Sequence, residues 1–196
     1  MGSNRTTELN KLMIDLETNE LESSTGVLSA IAYTQLLAIY LYRNELCQAK
    51  FLWKRIPQTV KSSHPELDRV WQIGQSMWKR HWAQVHTDLK QEWSEDIKEI
   101  MEVLKDMLHE RIMRLIAKAY SSLDLTAMAT MCGLSLEEAK LAAINRGWNV
   151  DGTIVQPRIE KRSDEDEEQY QNEMSKLCLT EEQLQKLTQF VSFLEN

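Results

Sequence analysis

Glycine and proline are scarce in this chain, six and three among 196 residues. So few breakers argue against a turn-rich fold. With abundant Leu, Ala, Met, Glu, Lys and Gln they predict a mainly helical protein. Cysteine is equally sparse. Cys47, Cys132 and Cys178 are isolated, odd in number and without a C-x-x-C pair. That excludes a disulfide framework and a zinc site and leaves small buried thiols in a reducing compartment. No stretch approaches the roughly 20 apolar residues that span a bilayer. The N-terminal residues lack the apolar run of a signal peptide, and Gly2 with Thr6 meets only the loosest acylation pattern.

Catalytic and metal signatures are missing too. His64, His81, His86 and His109 are scattered, and His81 and His86, five apart, do not share a helix face. There is no H-x-E or H-E-x-x-H pattern, no phosphate loop and no G-x-S-x-G elbow. No catalytic residue, cofactor or metal is expected, and the chain reads as a non-enzyme. Positive charge is short as well. The formal net charge is −7, which makes a phosphate backbone a poor partner. Cytoplasm and nucleus are the expected compartments.

What is present is helical periodicity. Leu9, Leu12, Met13 and Leu16 predict a helix over 7–20, broken at Ser23–Gly26. Tyr33, Leu36, Leu37 and Tyr40 form the apolar face of a second, over 28–43, stopped by Asn44. A third covers 45–55, with Ala49, Leu52, Trp53 and Ile56, and ends at Pro57. A polar loop leads to Pro65, well placed at a first helical position. A helix over 65–79 follows, with Leu67, Val70, Trp71, Gly74, Met77 and Trp78, and a shorter one over 82–89. Ser94 is expected to cap a long segment whose stripe runs Ile97, Ile100, Met101, Leu104, Met107 and Leu108, then Ile112, Leu115, Ile116 and Ala119. A bend or break is expected near His109. The six tryptophans fall mostly on apolar faces and are expected in the core.

The pairs form a weak repeat. Tyr33, Leu36, Tyr40, Ala49, Trp53 and Ile56 match the tetratricopeptide alternation of large and small residues, and Trp71, Gly74 and Trp78 repeat the first three positions 38 residues later. The second half of that repeat does not match, so the array is tetratricopeptide-like. Such an array leaves its ends exposed and needs a cap or a neighbour.

After Tyr120 the pattern changes. Ser121–Leu123 is a short potential strand, and Asp124 can cap a helix over 125–131. Cys132-Gly133-Leu134 is a tight turn. Ser135-Leu136-Glu137-Glu138 is a capping box opening a helix to about Arg146, with Leu136, Ala139, Ala143 and Ile144 inward. Gly147 ends it. Residues 150–155 read as a hairpin turning at Asp151-Gly152. Strand, helix, turn, helix, hairpin is the order of a winged helix. The second helix carries Glu137, Glu138, Lys140 and Arg146, no net charge, with its acids at the end that would approach a groove. Protein packing is therefore preferred over DNA, and an open sheet edge offers the means.

Most of the acidity is local. Residues 161–173 hold six carboxylates against two cations, a net of −4. This arm reads as a solvating tether, with an acidic contact as the lesser alternative. Thr180-Glu181-Glu182-Gln183 is a second capping box. In the helix it opens, Leu184, Leu187, Phe190, Val191, Phe193 and Leu194 fill half of the wheel. A helix of about 14 residues is marginal alone. It is expected to dock, either on its own chain or, preferred, in a bundle with helices of other subunits. The expected organisation is helical repeats (1–110), a winged-helix module (111–157), an acidic linker (158–176) and a C-terminal amphipathic helix (177–196).

Helical repeats followed by a winged helix resemble the PCI-domain family, whose members are subunits of the proteasome lid, the COP-9 signalosome and a translation initiation factor. Within it the chain resembles the signalosome members. The resemblance is carried by Tyr33-Thr34-Gln35-Leu36-Leu37-Ala38-Ile39-Tyr40-Leu41, by Leu52-Trp53-Lys54-Arg55-Ile56-Pro57, by Trp71-x-x-Gly74-x-x-x-Trp78 and by Phe190–Asn196. It covers about 28–148 and the C-terminal helix, and the acidic arm from 161 to 173 matches no recognised feature of the family. It implies a non-catalytic structural subunit of an assembly that removes a ubiquitin-like modifier from cullins of ubiquitin ligases (deneddylation), with the zinc site on another subunit. It implies edge pairing between winged helices, with Thr153, Ile154 and Val155 near the edge. It also implies a shared bundle entered by Leu184, Leu187, Phe190, Val191 and Leu194. The alternatives are a related assembly such as the proteasome lid and, less favoured, a nucleic-acid-binding winged helix.

Overall fold

The computed structural model describes residues 2–23, 26–158 and Thr188. Met1–Arg158 form one compact unit and Ile159–Asn196 a second, of which only Thr188, helical and exposed, is described. The expected C-terminal helix and nearly all of the acidic linker lie outside the described residues.

Helix α1 (Gly2–Glu22) comes first. It turns Met13 and Leu16 into the core, with Leu9 and Leu12 half-buried beside them. Helix α2 (Ala30–Tyr42) has no charged residue, and a helix apolar all round belongs in the interior. Its six consecutive residues Leu36–Leu41 are all buried, more than the single apolar face expected from the periodicity. It packs on α1, on α3 (Leu46–Arg55), on α5 (Pro65–Lys79) and on α7 (Glu95–Ala119). Gly74 lets α5 approach it closely. A Cβ there would sit 3.1 Å from Leu41 Cδ2.

Local chemistry sets the ends. Ser29 Oγ accepts from the Ala32 amide and caps α2, and Asn44 turns the chain with φ 58°. Pro65 opens α5 at a position where its missing donor costs nothing. The expected polar loop at 58–63 is instead a short helix, α4 (Gln58–Ser63). The Pro57 carbonyl accepts from Val60 and Lys61 to start it, and six residues are too few to show a period. Helix α6 (Trp82–Leu89) runs as expected.

Helix α7 is continuous through His109, contrary to the expected break, and passes the expected 110/111 junction. It holds no Gly or Pro to interrupt it. Its stripe runs unbroken from Ile97 to Ile116 along the core, with Met113 inward where Leu115 was expected. Ser94 stands at the N-cap position, but its side chain accepts no helix amide. Its hydroxyl and amide both donate to Glu66 (2.8 Å each), tying the start of α7 to α5.

The tryptophans are less interior than expected. Trp148 is buried, Trp53, Trp71, Trp82 and Trp93 pack at the core's rim, and Trp78 is 51% exposed. Cys132 is buried, Cys47 is exposed, and Cys178 lies outside the described residues.

From Leu123 the chain builds β1 (Leu123–Asp124), α8 (Leu125–Cys132), α9 (Leu136–Asn145), β2 (Asn149–Asp151) and β3 (Ile154–Gln156). The strands form one antiparallel sheet in the order β1-β3-β2. Asp124 accepts from the Thr126 amide to cap α8, and the Ser135–Glu138 capping box is complete. The hairpin register pairs Asp151 with Ile154, so its two-residue turn is Gly152-Thr153, one residue later than expected. Positive φ falls on Gly152 alone, as a type II′ turn requires.

Candidate protein interface

The module's sheet is small, and its strand order decides what it can offer a partner. β3 lies in the middle, with Val155 paired to Leu123 on one side and Val150 on the other. Its backbone groups are therefore spent inside the sheet. This corrects the expectation that 153–155 lies at the edge. Thr153 is exposed in the turn, Ile154 is half-exposed on the sheet face, and Val155 is fully buried. The open edges belong to β1 and β2. Leu184, Leu187, Phe190, Val191 and Leu194 lie outside the described residues.

Helix α9 also departs from expectation. Ala139 and Ala143, four apart, make its buried face. These small side chains let the helix backbone sit close to the core cluster they join. Leu136 and Ile144, expected inward, are each 51% exposed, and Leu141 is 59% exposed. Leu141 and Ile144 share the face opposite the alanines. The alanine pair was the sequence signal for this arrangement. On a close-packed helix the small residues mark the contact and the larger ones are left outside.

The module is anchored to the helices before it. Arg146, at the end of α9, pairs with Glu110 on α7. His86 of α6 is buried against the α8–α9 turn, and its Nε2–H donates to the Met131 carbonyl (3.0 Å). Burial pushes the His86 imidazole below its ordinary pKa, more than the Met131 hydrogen bond opposes it; His109, Lys90 and Lys105 add to the depression. These groups, with Glu138, line a cleft of about 470 Å³ between α6, α7 and the turn. The cleft brings no nucleophile to a base. Cys132, which lines it, is buried, its thiol pushed up to about 11 by burial, and the thiol donates to the Met113 sulfur (3.4 Å). Glu138 is held below the usual carboxylate range by the Ser135 amide and hydroxyl it accepts from, a capping duty. Among the described residues no group of three or more His, Cys, Asp or Glu could hold a metal ion. Among them, too, no helix is long and apolar enough to cross a membrane.

Helices packed round one apolar helix, then a small module with open strand edges and an apolar outer helix face, define a PCI-type helical domain. The chain belongs to the CSN8/PSMD8/EIF3K family, whose model matches residues 27–168. It is 39% identical over 189 residues to a Xenopus laevis protein named COP9 signalosome complex subunit 8, covering 95% of this chain and 92% of that one. The protein of the same name from Danio rerio is 35% identical over 187 residues, covering 95% and 94%. That from Arabidopsis thaliana is 28% identical over 158 residues, covering 80% and 76%.

Proposed function

We propose that this chain is a non-catalytic structural subunit of the COP9 signalosome. The observation that carries the reading is identity of 35–39% over about 95% of the chain to proteins of that name. The reaction it serves is the one the family resemblance implies, removal of a ubiquitin-like modifier from cullins, carried out on another subunit. Its module acts as a winged helix used for packing. Of the two outer strands, β2 is the longer and is the one that takes a neighbour's edge. Leu141 and Ile144 add apolar contact beside it, and Leu184, Leu187, Phe190, Val191 and Leu194 enter a bundle with helices of other subunits. The protein works in cytoplasm and nucleus.

The test is affinity purification of the full chain under mild salt, with partners identified by mass spectrometry. Signalosome subunits in stoichiometric amount are expected. Proteasome-lid subunits in their place, or no co-purifying assembly, would overturn the reading. Deleting 180–196 is expected to weaken incorporation, and unchanged incorporation would sink the bundle.

A further inference from the structure

In an acidic chain, α3 to α5 form a basic island. Residues 46–81 carry seven Lys and Arg against Glu66 and Asp68, a net of +5. The whole chain carries −7, so the rest holds −12. The two carboxylates are engaged. Glu66 takes Ser94 and neighbours Arg69, and Asp68 accepts from Gln72. Arg55 is taken by Glu20. Lys50, Lys54, Lys61, Lys79 and Arg80 have no carboxylate partner among the described residues.

Aromatic rings run through the same seam. Trp53 of α3 stacks on Trp71 of α5, with centroids 5.3 Å apart and planes 10° from parallel. Lys61 Nζ stands 4.6 Å over Trp53, and Lys50 Nζ 4.9 Å over Trp78. A ring face positions an ammonium without neutralising it. On the outer side of α3, Phe51 is 59% exposed and lies one helical turn from Lys54 and beside Lys50. A face that serves only solubility mixes both charge signs and hides its rings. This one shows a single sign around Phe51 and Trp78.

We infer that the α3–α5 seam, around Lys50, Phe51, Lys54, Lys61 and Trp78, is a docking surface for an acidic, extended segment of another protein chain. Carboxylates meet the lysines, and an apolar side chain of the segment covers Phe51 and Trp78. Size favours a peptide over a nucleic acid. α3 and α5 are about 15 and 22 Å long, and about six extended residues cover that span. A longer polyanion would overrun the island onto the rest of the first unit, residues 1–45 and 82–158, which carry a net of −6. The surface lies on different elements from the module, so it does not depend on the assembly reading.

The test uses the full chain and fluorescence anisotropy of a labelled twelve-residue peptide, Glu-Glu-Phe repeated four times. Saturable binding is expected at 50 mM salt, weakening on the order of tenfold by 300 mM. The K50E/K54E double variant should lose roughly tenfold or more in affinity, and K98E/K118E, exposed on α7, should not. Phe51→Ser and Lys79→Glu, on two different helices, read the same surface should the double variant misfold. Absence of saturable binding, or equal loss in K98E/K118E, overturns the proposal. So does a 20-nucleotide oligo(dT) that binds at least as tightly and is lost in the same variants, since the surface would then serve nucleic acid.

Discussion

The imidazole of His86 lies directly against Gly133. A Cβ on Gly133 would fall inside van der Waals contact of His86 Cβ, Cγ and Cδ2, and Gly133 also holds φ at 67°. Both facts demand glycine. Gly133→Ala should cost roughly 3 kcal/mol, from left-handed backbone strain plus overpacking. In H86A/G133A the clashes with Cγ and Cδ2 are removed while that with the His86 Cβ remains, so the combined loss should fall short of the sum of the two single losses by only part of the steric cost. A urea-denaturation double-mutant cycle on the full chain checks this. Strict additivity would show that the ring does not press on the turn.

His86 makes stability fall with acid. Its folded pKa is lowered from the ordinary 6.5, chiefly by burial, so below that value the unfolded state binds the proton first. The stability present above pH 6.5 is lost as pH falls from there through the folded pKa. His109, Lys90 and Lys105 face the same ring and oppose its charging. Comparing urea midpoints at pH 7.5 and 5.5, the drop should be smaller in His86→Gln. An equal drop in both proteins would assign the acid sensitivity elsewhere.

Ser135 opens α9 by satisfying the Glu138 amide while Glu138 answers the Ser135 amide. Ser135→Ala should cost about 1 kcal/mol and raise hydrogen exchange first in the opening turn of α9. Exchange unchanged there would mean that tertiary packing, not the cap, sets that end.

Helix α1 is held to its neighbours by carboxylates. Glu20 accepts from Arg55 Nε and Nη2 at 2.9 and 2.5 Å, and Glu17 accepts from Tyr40 Oη at 2.6 Å. Burial and the Glu17 bond raise the Tyr40 phenol well above its ordinary pKa. Glu20→Ala leaves Arg55 half-exposed in water and should cost only ~1 kcal/mol. Its signature is local: amide protection in α1 should fall before that of α2. Uniform loss across both helices would show that α1 is not a separable unit.

On α9, Leu141→Asp with Ile144→Asp removes two exposed apolar side chains and should leave stability within about 0.5 kcal/mol. The pair is expected to reduce recovery of partner subunits in the affinity purification. Full recovery would take α9 out of the interface.

Much of this protein could be read from sequence because the deciding interactions are local. Pro65 at a helix start, Asn44 at a helix stop, the tight turn at Gly133 and the Ser135–Glu138 box each depend on residues within four positions of one another, and all stand in the structure as read. So does the mainly helical class, since a helix satisfies its backbone within itself. What depended on distant neighbours was decided only by the tertiary fold. Strand order put β3 between β1 and β2 and took 153–155 off the edge. Packing through Ala139 and Ala143 turned Leu141 and Ile144 outward. The meeting of His86 with Gly133 joins residues 47 apart in the chain, and no periodicity encodes it. The basic seam belongs to both kinds: the sequence by itself determined that cations and aromatics crowd 46–81, and only the antiparallel packing of α3 on α5 stacked Trp53 on Trp71 and set Lys50 over Trp78, because side chains on separate helices share a surface only once the helices meet.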